Sequence, residues 1–195
     1  MPATATLARS IGWALQPIRP GVQRFAIRRR AFNETPATIE VTSPAFSCGG
    51  QIPPRYTSDG DNLSPPLAWR NLPAGTAALV LLVEDADAPA LRPLVHAIVA
   101  NIPPHMGGLT EGGIAPSARG TDTGGLVFGR NSLGRQGWLP ITPPPGHGPH
   151  RYAFELFALD RMMRFGWPPG REHLLRAIRP HVLARGCLVG IYQRK

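Results

Sequence analysis

The stretch Ala77-Ala78-Leu79-Val80-Leu81-Leu82-Val83, closed by Glu84-Asp85-Ala86-Asp87-Ala88-Pro89, decides how this 195-residue chain is read. A continuous apolar run of that length is expected of a strand covered on both faces. Its abrupt end in an acidic turn places Asp85 where buried framework meets the surface. Working outward, His96-Ala97-Ile98-Val99-Ala100-Asn101 predicts a second buried strand, stopped by Pro103-Pro104. Residues 151–159 predict a third, with Tyr152, Phe154 and Leu156 on one side because strand side chains alternate. Ile39-Glu40-Val41-Thr42 alternates like a half-buried strand, and residues 187–192 read as a closing strand.

The connecting stretches are loops or short helices. Residues 43–73 are turn-rich, with Gly49-Gly50, Pro53-Pro54, Asp59-Gly60 and Pro65-Pro66, and 105–149 are mostly Gly- and Pro-rich loop. Residues 171–185 predict a helix with an interruption at Pro180 and a stop at Gly186. A total of 23 Pro and 22 Gly is too many for a helical bundle and suits short strands joined by turns. The fold class expected is all-β dominated, with a few short helices, one near the C-terminus.

Net charge is +9, unevenly spread. Residues 1–31 hold six Arg and no acid, residues 161–195 hold eight basic residues against Glu172, and 32–160 nets −4. Residues 1–38 read as a basic N-terminal extension, with a short helix near Leu7 to Leu15, and 39–195 as one domain. The basic ends raise attraction to anionic lipid or nucleic acid; with 20 of the 21 basic residues being Arg, the excess is read as compositional. Aromatics to interleave with the charges are sparse and no Gly-rich phosphate cradle is present, so nucleic acid is not the expected partner. No apolar run approaches a membrane span of about 20 residues. The apolar patch Ile11-Gly12-Trp13-Ala14-Leu15 is too short for a secretory signal, and an Arg-rich, acid-free start also has the composition of an organelle transit peptide. The reading taken is a cytoplasmic protein with a basic extension. Cys48 and Cys187 are either two thiols or one disulfide.

The residues that carry chemistry sit at strand ends: Asp85, His96 inside an otherwise apolar strand, and His150, which shares a face with Tyr152. Two His and one carboxylate is also an iron-binding set, but no motif spacing supports a metal, and none is assigned. A hydrolase lacks its GxSxG elbow, and neither Cys stands in a catalytic context.

The segments Ser43-Pro44-Ala45-Phe46, Ile52-Pro53-Pro54-Arg55-Tyr56-Thr57-Ser58-Asp59-Gly60 and Ser64-Pro65-Pro66-Leu67-Ala68-Trp69 resemble the opening of the bacterial phosphatidylethanolamine-binding, or Raf-kinase-inhibitor-like, proteins. Asp85-Ala86-Asp87-Ala88-Pro89 resembles that family's Asp-Pro-Asp-x-Pro signature, and His96 precedes Asn101 by five residues as the family's pocket histidine does. Gly129 to Trp138 resembles its loop, Pro143-Pro144-Pro145-Gly146 through Phe154 its second signature, and His181 to Tyr192 its bacterial ending. The resemblance implies a β-sandwich-like fold and a pocket for phosphate-like or carboxylate-like anions. By position it comprises Asp85, His96, His150 and Tyr152, with Pro143 and Pro144 at the rim. His96 and His150 are expected to contact the anion, Asp85 to fix their geometry, and Tyr152 to donate its hydroxyl. It implies a binding protein with no cofactor rather than an enzyme. A kinase or protease partner and a homodimer stay open, because relatives show both. Two departures stand out: Ala86 replaces a signature proline, which should loosen the turn that aims Asp85, and Ala97 stands where bacterial members often carry Trp.

Overall fold

The structure, a computed structural model, describes residues 2–116 and 125–194. Part of the long loop expected over 105–149 therefore lies outside the described residues. Two antiparallel sheets face each other across one core. The larger has the order β6-β4-β3-β7-β8, from Val127–Phe128 (β6), Leu94–Ile102 (β4), Ala78–Asp85 (β3), His150–Leu159 (β7) and Val182–Tyr192 (β8). The smaller has the order β1-β2-β5, from Glu40–Thr42, Leu67–Arg70 and Gly108–Leu109. The chain is mostly sheet, with few short helices.

The central strand shows why its apolar run is unbroken. Leu79, Leu81 and Val83 point between the sheets, where they meet Val99, Phe154, Leu156 and Trp69. Val80 and Leu82 point to the opposite face, under Phe25, Ala26, Ile27 and Phe32 of the N-terminal segment and Leu174, Leu175 and Ile178 of a helix. Both faces are therefore dry. The 1–38 segment accordingly packs against the rest of the chain. Phe32 lies 5.2 Å from Phe157 between ring centroids. Arg185 donates to the carbonyls of Ile27, Asn33 and Thr35 at 3.0–3.3 Å. A short helix Arg30–Asn33 (α2) follows an N-terminal helix Pro2–Leu15 (α1), longer than the one expected near Leu7.

Two sequence expectations are corrected. The helix predicted over 171–185 is Arg171–Ile178 (α3); a 3-10 turn at Arg179–His181 follows, and the chain then enters β8. Pro180 cannot supply the next helical N–H, and ten paired positions between β7 and β8 override helical propensity. Strand β2, hidden in the stretch read as turns, alternates buried and exposed residues after Pro65-Pro66.

Candidate functional site

Alternation along the strands aims two side chains at one end of the large sheet. Asp85 extends the inward row of Leu79, Leu81 and Val83, and His150 extends the row of Tyr152, Phe154 and Leu156. His96 arrives by a different device. Val83 pairs with Ala97 and Glu84 with Val95, so His96 is the extra residue of a β-bulge, a local twist that re-aims a side chain.

The turn after β3 is well tied. The Asp87 N–H donates to Asp85 Oδ1 at 2.7 Å, and the Ala86 N–H donates to the Arg151 carbonyl at 3.0 Å. A proline at 86 has no such N–H, so alanine adds a tether that opposes the loosening expected from this departure. Asp87 is gripped by Arg151 Nε and Nη2 at 2.7 and 2.6 Å and by Arg19 at 3.1 Å. Burial opposes ionisation there, but these partners outweigh it and hold the Asp87 carboxyl below the usual range.

Asp85, His96 and His150 border a cavity of about 450 Å³, with Arg135 and Thr142 as its other polar side chains. Pro89, Leu94, Leu139, Pro140, Pro143 and Pro144 make apolar walls. This size and lining fall in the range of small-molecule sites. Pro143 and Pro144 are thus among the lining residues. Ala97 is buried in the inter-sheet core, and Trp138 packs 6.1 Å from the His96 ring.

The hydrogen-bonding roles differ from those expected. His150 Nδ1 lies 2.7 Å from Asp85 Oδ2, and His150 Nε2 lies 2.8 Å from His147 Nδ1. Both His150 nitrogens are engaged, leaving it no free N–H for an anion. Tyr152 is fully buried behind the imidazoles, 5.3 Å from His96 and 6.3 Å from His150 between ring centroids. Among the described residues none meets strict hydrogen-bonding geometry with its hydroxyl, although Asp85 is near enough to interact with it. Burial, and then the nearby charges of Asp85 and Asp87, push its pKa well up. Tyr152 is therefore placed as a wall behind the site, not as a donor into the cavity.

His147 was missed. It is fully buried, and its Nε2 lies 2.9 Å from the Leu15 carbonyl at the end of α1. A carbonyl only accepts, so His147 Nε2 carries hydrogen. Burial lowers the pKa of His147, with the charges of His150 and Arg19 adding to the effect and the Leu15 bond opposing it. A neutral His147 accepts at Nδ1, and the proton between the rings comes from His150 Nε2. The spacing of His147 and His150 within a Pro/Gly loop was the available signal, but only the fold puts Leu15 beside them.

Among the histidines that line the cavity, His96 has a ring nitrogen without a partner. Its Nδ1 donates to the Leu139 carbonyl at 2.8 Å, while its Nε2 is buried without a partner. Burial lowers its pKa, opposed by Asp85 and the Leu139 bond. Arg135, exposed at the cavity, was also missed; the loop that carries it was recognised, but not that its cation borders the pocket. Among the described residues, no group of three or more His, Cys, Asp or Glu is arranged to hold a metal ion. Cys48 and Cys187 are both free thiols, and Cys48 is exposed.

An antiparallel two-sheet protein with a histidine–carboxylate cavity at the end of its large sheet is thus defined. Residues 42–193 match the family model described as phosphatidylethanolamine-binding protein, and the chain belongs to that family. A protein from Methanothermobacter thermautotrophicus, described as a UPF0098 protein, is 41% identical over 156 residues, which is 80% of this chain and 99% of that one. A crystal structure of a phosphatidylethanolamine-binding protein homologue from Chlamydia trachomatis superposes with a TM-score of 0.71 at 35% identity, covering 81% of this chain and 99% of that one. Escherichia coli YbcL, described as a member of the mammalian family, gives 0.73 at 28% identity, covering 82% and 100%.

Proposed function

We propose that this protein is a receptor, not an enzyme, for a small organic anion whose phosphate or carboxylate head is held between His96 and Arg135. The observation that carries this reading is His96 Nε2, a buried nitrogen of a cavity-lining residue with no partner among the described residues. In the neutral ring this atom accepts; protonated, it becomes a charge-assisted donor, roughly twice as strong as a neutral one. Arg135 supplies permanent charge beside it. The proline and leucine walls suit the organic part of the ligand. Free thiols suit a reducing compartment, so the cytoplasm is the proposed location.

Because burial lowers the His96 pKa, an anion that bonds Nε2 must bring a proton with it, and affinity should rise as pH falls through the histidine range. Isothermal titration with phosphate, phosphoethanolamine and acetate at pH 5.5, 6.5 and 7.5 tests this. The reading requires tighter binding at the lower pH, lost in His96→Ala. Binding that ignores both pH and His96 would remove it. Leu133, 61% exposed while lining the cavity, supports a second reading in which the anion is a side chain of a partner protein such as a kinase or protease. A phosphoserine peptide that binds no better than phosphoethanolamine would discard that version.

A further inference from the structure

The arginines concentrated at the two chain ends are brought to one place by the fold. The N-terminal segment crosses the outer face of the large sheet beside α3. Arg24 and Arg29 therefore stand with Arg171 and Arg176, and Arg92, which precedes β4, joins them. Five guanidinium groups line a cleft of about 590 Å³ in which Glu172 is the one acidic lining residue described. Arg92, Arg171 and Glu172 continue into a neighbouring hollow of about 490 Å³ that adds Arg130.

The charges do not cancel. Glu172 is taken by Arg29 at 2.6 and 2.9 Å and by Arg171 at 2.8 Å. The Arg29 bonds, partly opposed by burial, draw the Glu172 pKa down to about 2, so it is ionised at any working pH and still insufficient. Arg171 is further committed to the buried Glu84. Arg24 gives one nitrogen to the Leu91 carbonyl at 2.7 Å. Arg92 and Arg176 are exposed, and among the described residues no carboxylate pairs with either. Like charges held around one hollow are a ready-made field for an anion, and the planar guanidinium fork matches phosphate and sulfate oxygens two at a time.

We propose that this cleft is a second anion site, separate from the histidine cavity, which binds small molecules bearing two or more phosphate or sulfate groups across Arg24, Arg92 and Arg176. More than one group is required because the uncommitted cations come from three separate elements and the hollow far exceeds one phosphate. The two sites differ in kind: the histidine cavity is largely apolar and depends on a titrating ring, whereas the arginine cleft is polar and permanently charged.

The test is titration of the full chain with inorganic pyrophosphate and with inositol hexakisphosphate, at low and at physiological salt. Binding should weaken as salt rises. It should fall about tenfold or more in Arg92→Glu/Arg176→Glu, as expected when charge-assisted contacts are lost. It should persist unchanged in His96→Ala. Both arginines are exposed and unpaired, so the double variant should keep the parent melting temperature; if charge reversal disturbs the Arg29–Glu172 pair, Arg92→Ala/Arg176→Ala serves instead. Equal binding by parent and double variant overturns the proposal, as does loss of binding in His96→Ala. Failure of both probes at low salt overturns it too, even if a single-stranded oligonucleotide is retained.

Discussion

His147 shows how one side chain ties a site to a distant segment. It bonds the ring of His150 on one side and the Leu15 carbonyl on the other, so the end of α1 is held by the same hydrogen-bonded path that orients Asp85. His147→Ala leaves the buried His150 Nε2 without a partner, an orphaning that costs about 1–3 kcal/mol, and takes one of its two donors from the Leu15 carbonyl, which keeps the Ile18 N–H at 2.9 Å. Denaturant unfolding should report a loss of that order, and hydrogen exchange should report faster exchange in α1 but not in β3. Equal protection of α1 in variant and parent would contradict the link. The glycines nearby have a matching role. A Cβ at Gly12 would lie 1.9 Å from the Pro145 carbonyl oxygen, and one at Gly146, where φ is +79°, would lie 2.5 Å from the Arg9 carbonyl oxygen. Helix and loop approach at backbone distance there.

Among the elements, β3 and β7 each carry a carboxylate on the face away from the cavity. Glu84 pairs with Arg171 and accepts the Ala26 N–H at 3.0 Å, and Glu155 accepts the Ile27 N–H at 3.0 Å. Burial, and then the charge of Glu84, raise the Glu155 pKa well above its ordinary value of 4.5. A carboxyl raised on folding contributes stability that is complete below its unfolded value and is lost as pH climbs through the folded one. Glu155→Gln, an isostere of the protonated acid, should therefore match the parent near pH 4.5 within about 1 kcal/mol and exceed it at higher pH. Thermal melts across pH 4.5–8 check this, and a variant less stable than the parent at high pH would contradict it.

Much of this was legible in the sequence. The unbroken run from Ala77 to Val83 announced a strand with two dry faces, and period two put Asp85 and His150 at strand ends on the inward rows. What escaped depended on tertiary contacts. Phe25, Ala26, Ile27 and Phe32 carry no regular period and lie among arginines, so nothing local marked them as the cover of a sheet. The start of β8 has helical propensity that pairing with β7 overrides. His150's loss of free N–H groups, and Tyr152's retreat behind the rings, follow from His147 and Asp85, whose positions no spacing rule supplies.

At the scale of the whole molecule, the N-terminal segment has two separable roles. Residues 21–36 complete the second apolar core, while α1 and Arg19 brace the loop behind His150. Deleting 1–20 should spare the core and leave a folded protein with a looser His147. Deleting 1–38 uncovers Val80, Leu82 and Phe157 and strips the backbone donors from Glu84 and Glu155; it should lower the melting temperature far more or yield aggregates. Calorimetry of the two truncations orders them, and equal stability would contradict the division. The account as a whole rests on what enters the cavity at the end of the large sheet. A crystal grown near pH 5.5 and soaked in phosphoethanolamine, then solved, examines that directly. The phosphoryl group should lie within hydrogen-bonding distance of His96 Nε2 with Arg135 closing on it, and a cavity holding only water under saturating ligand would contradict the receptor reading.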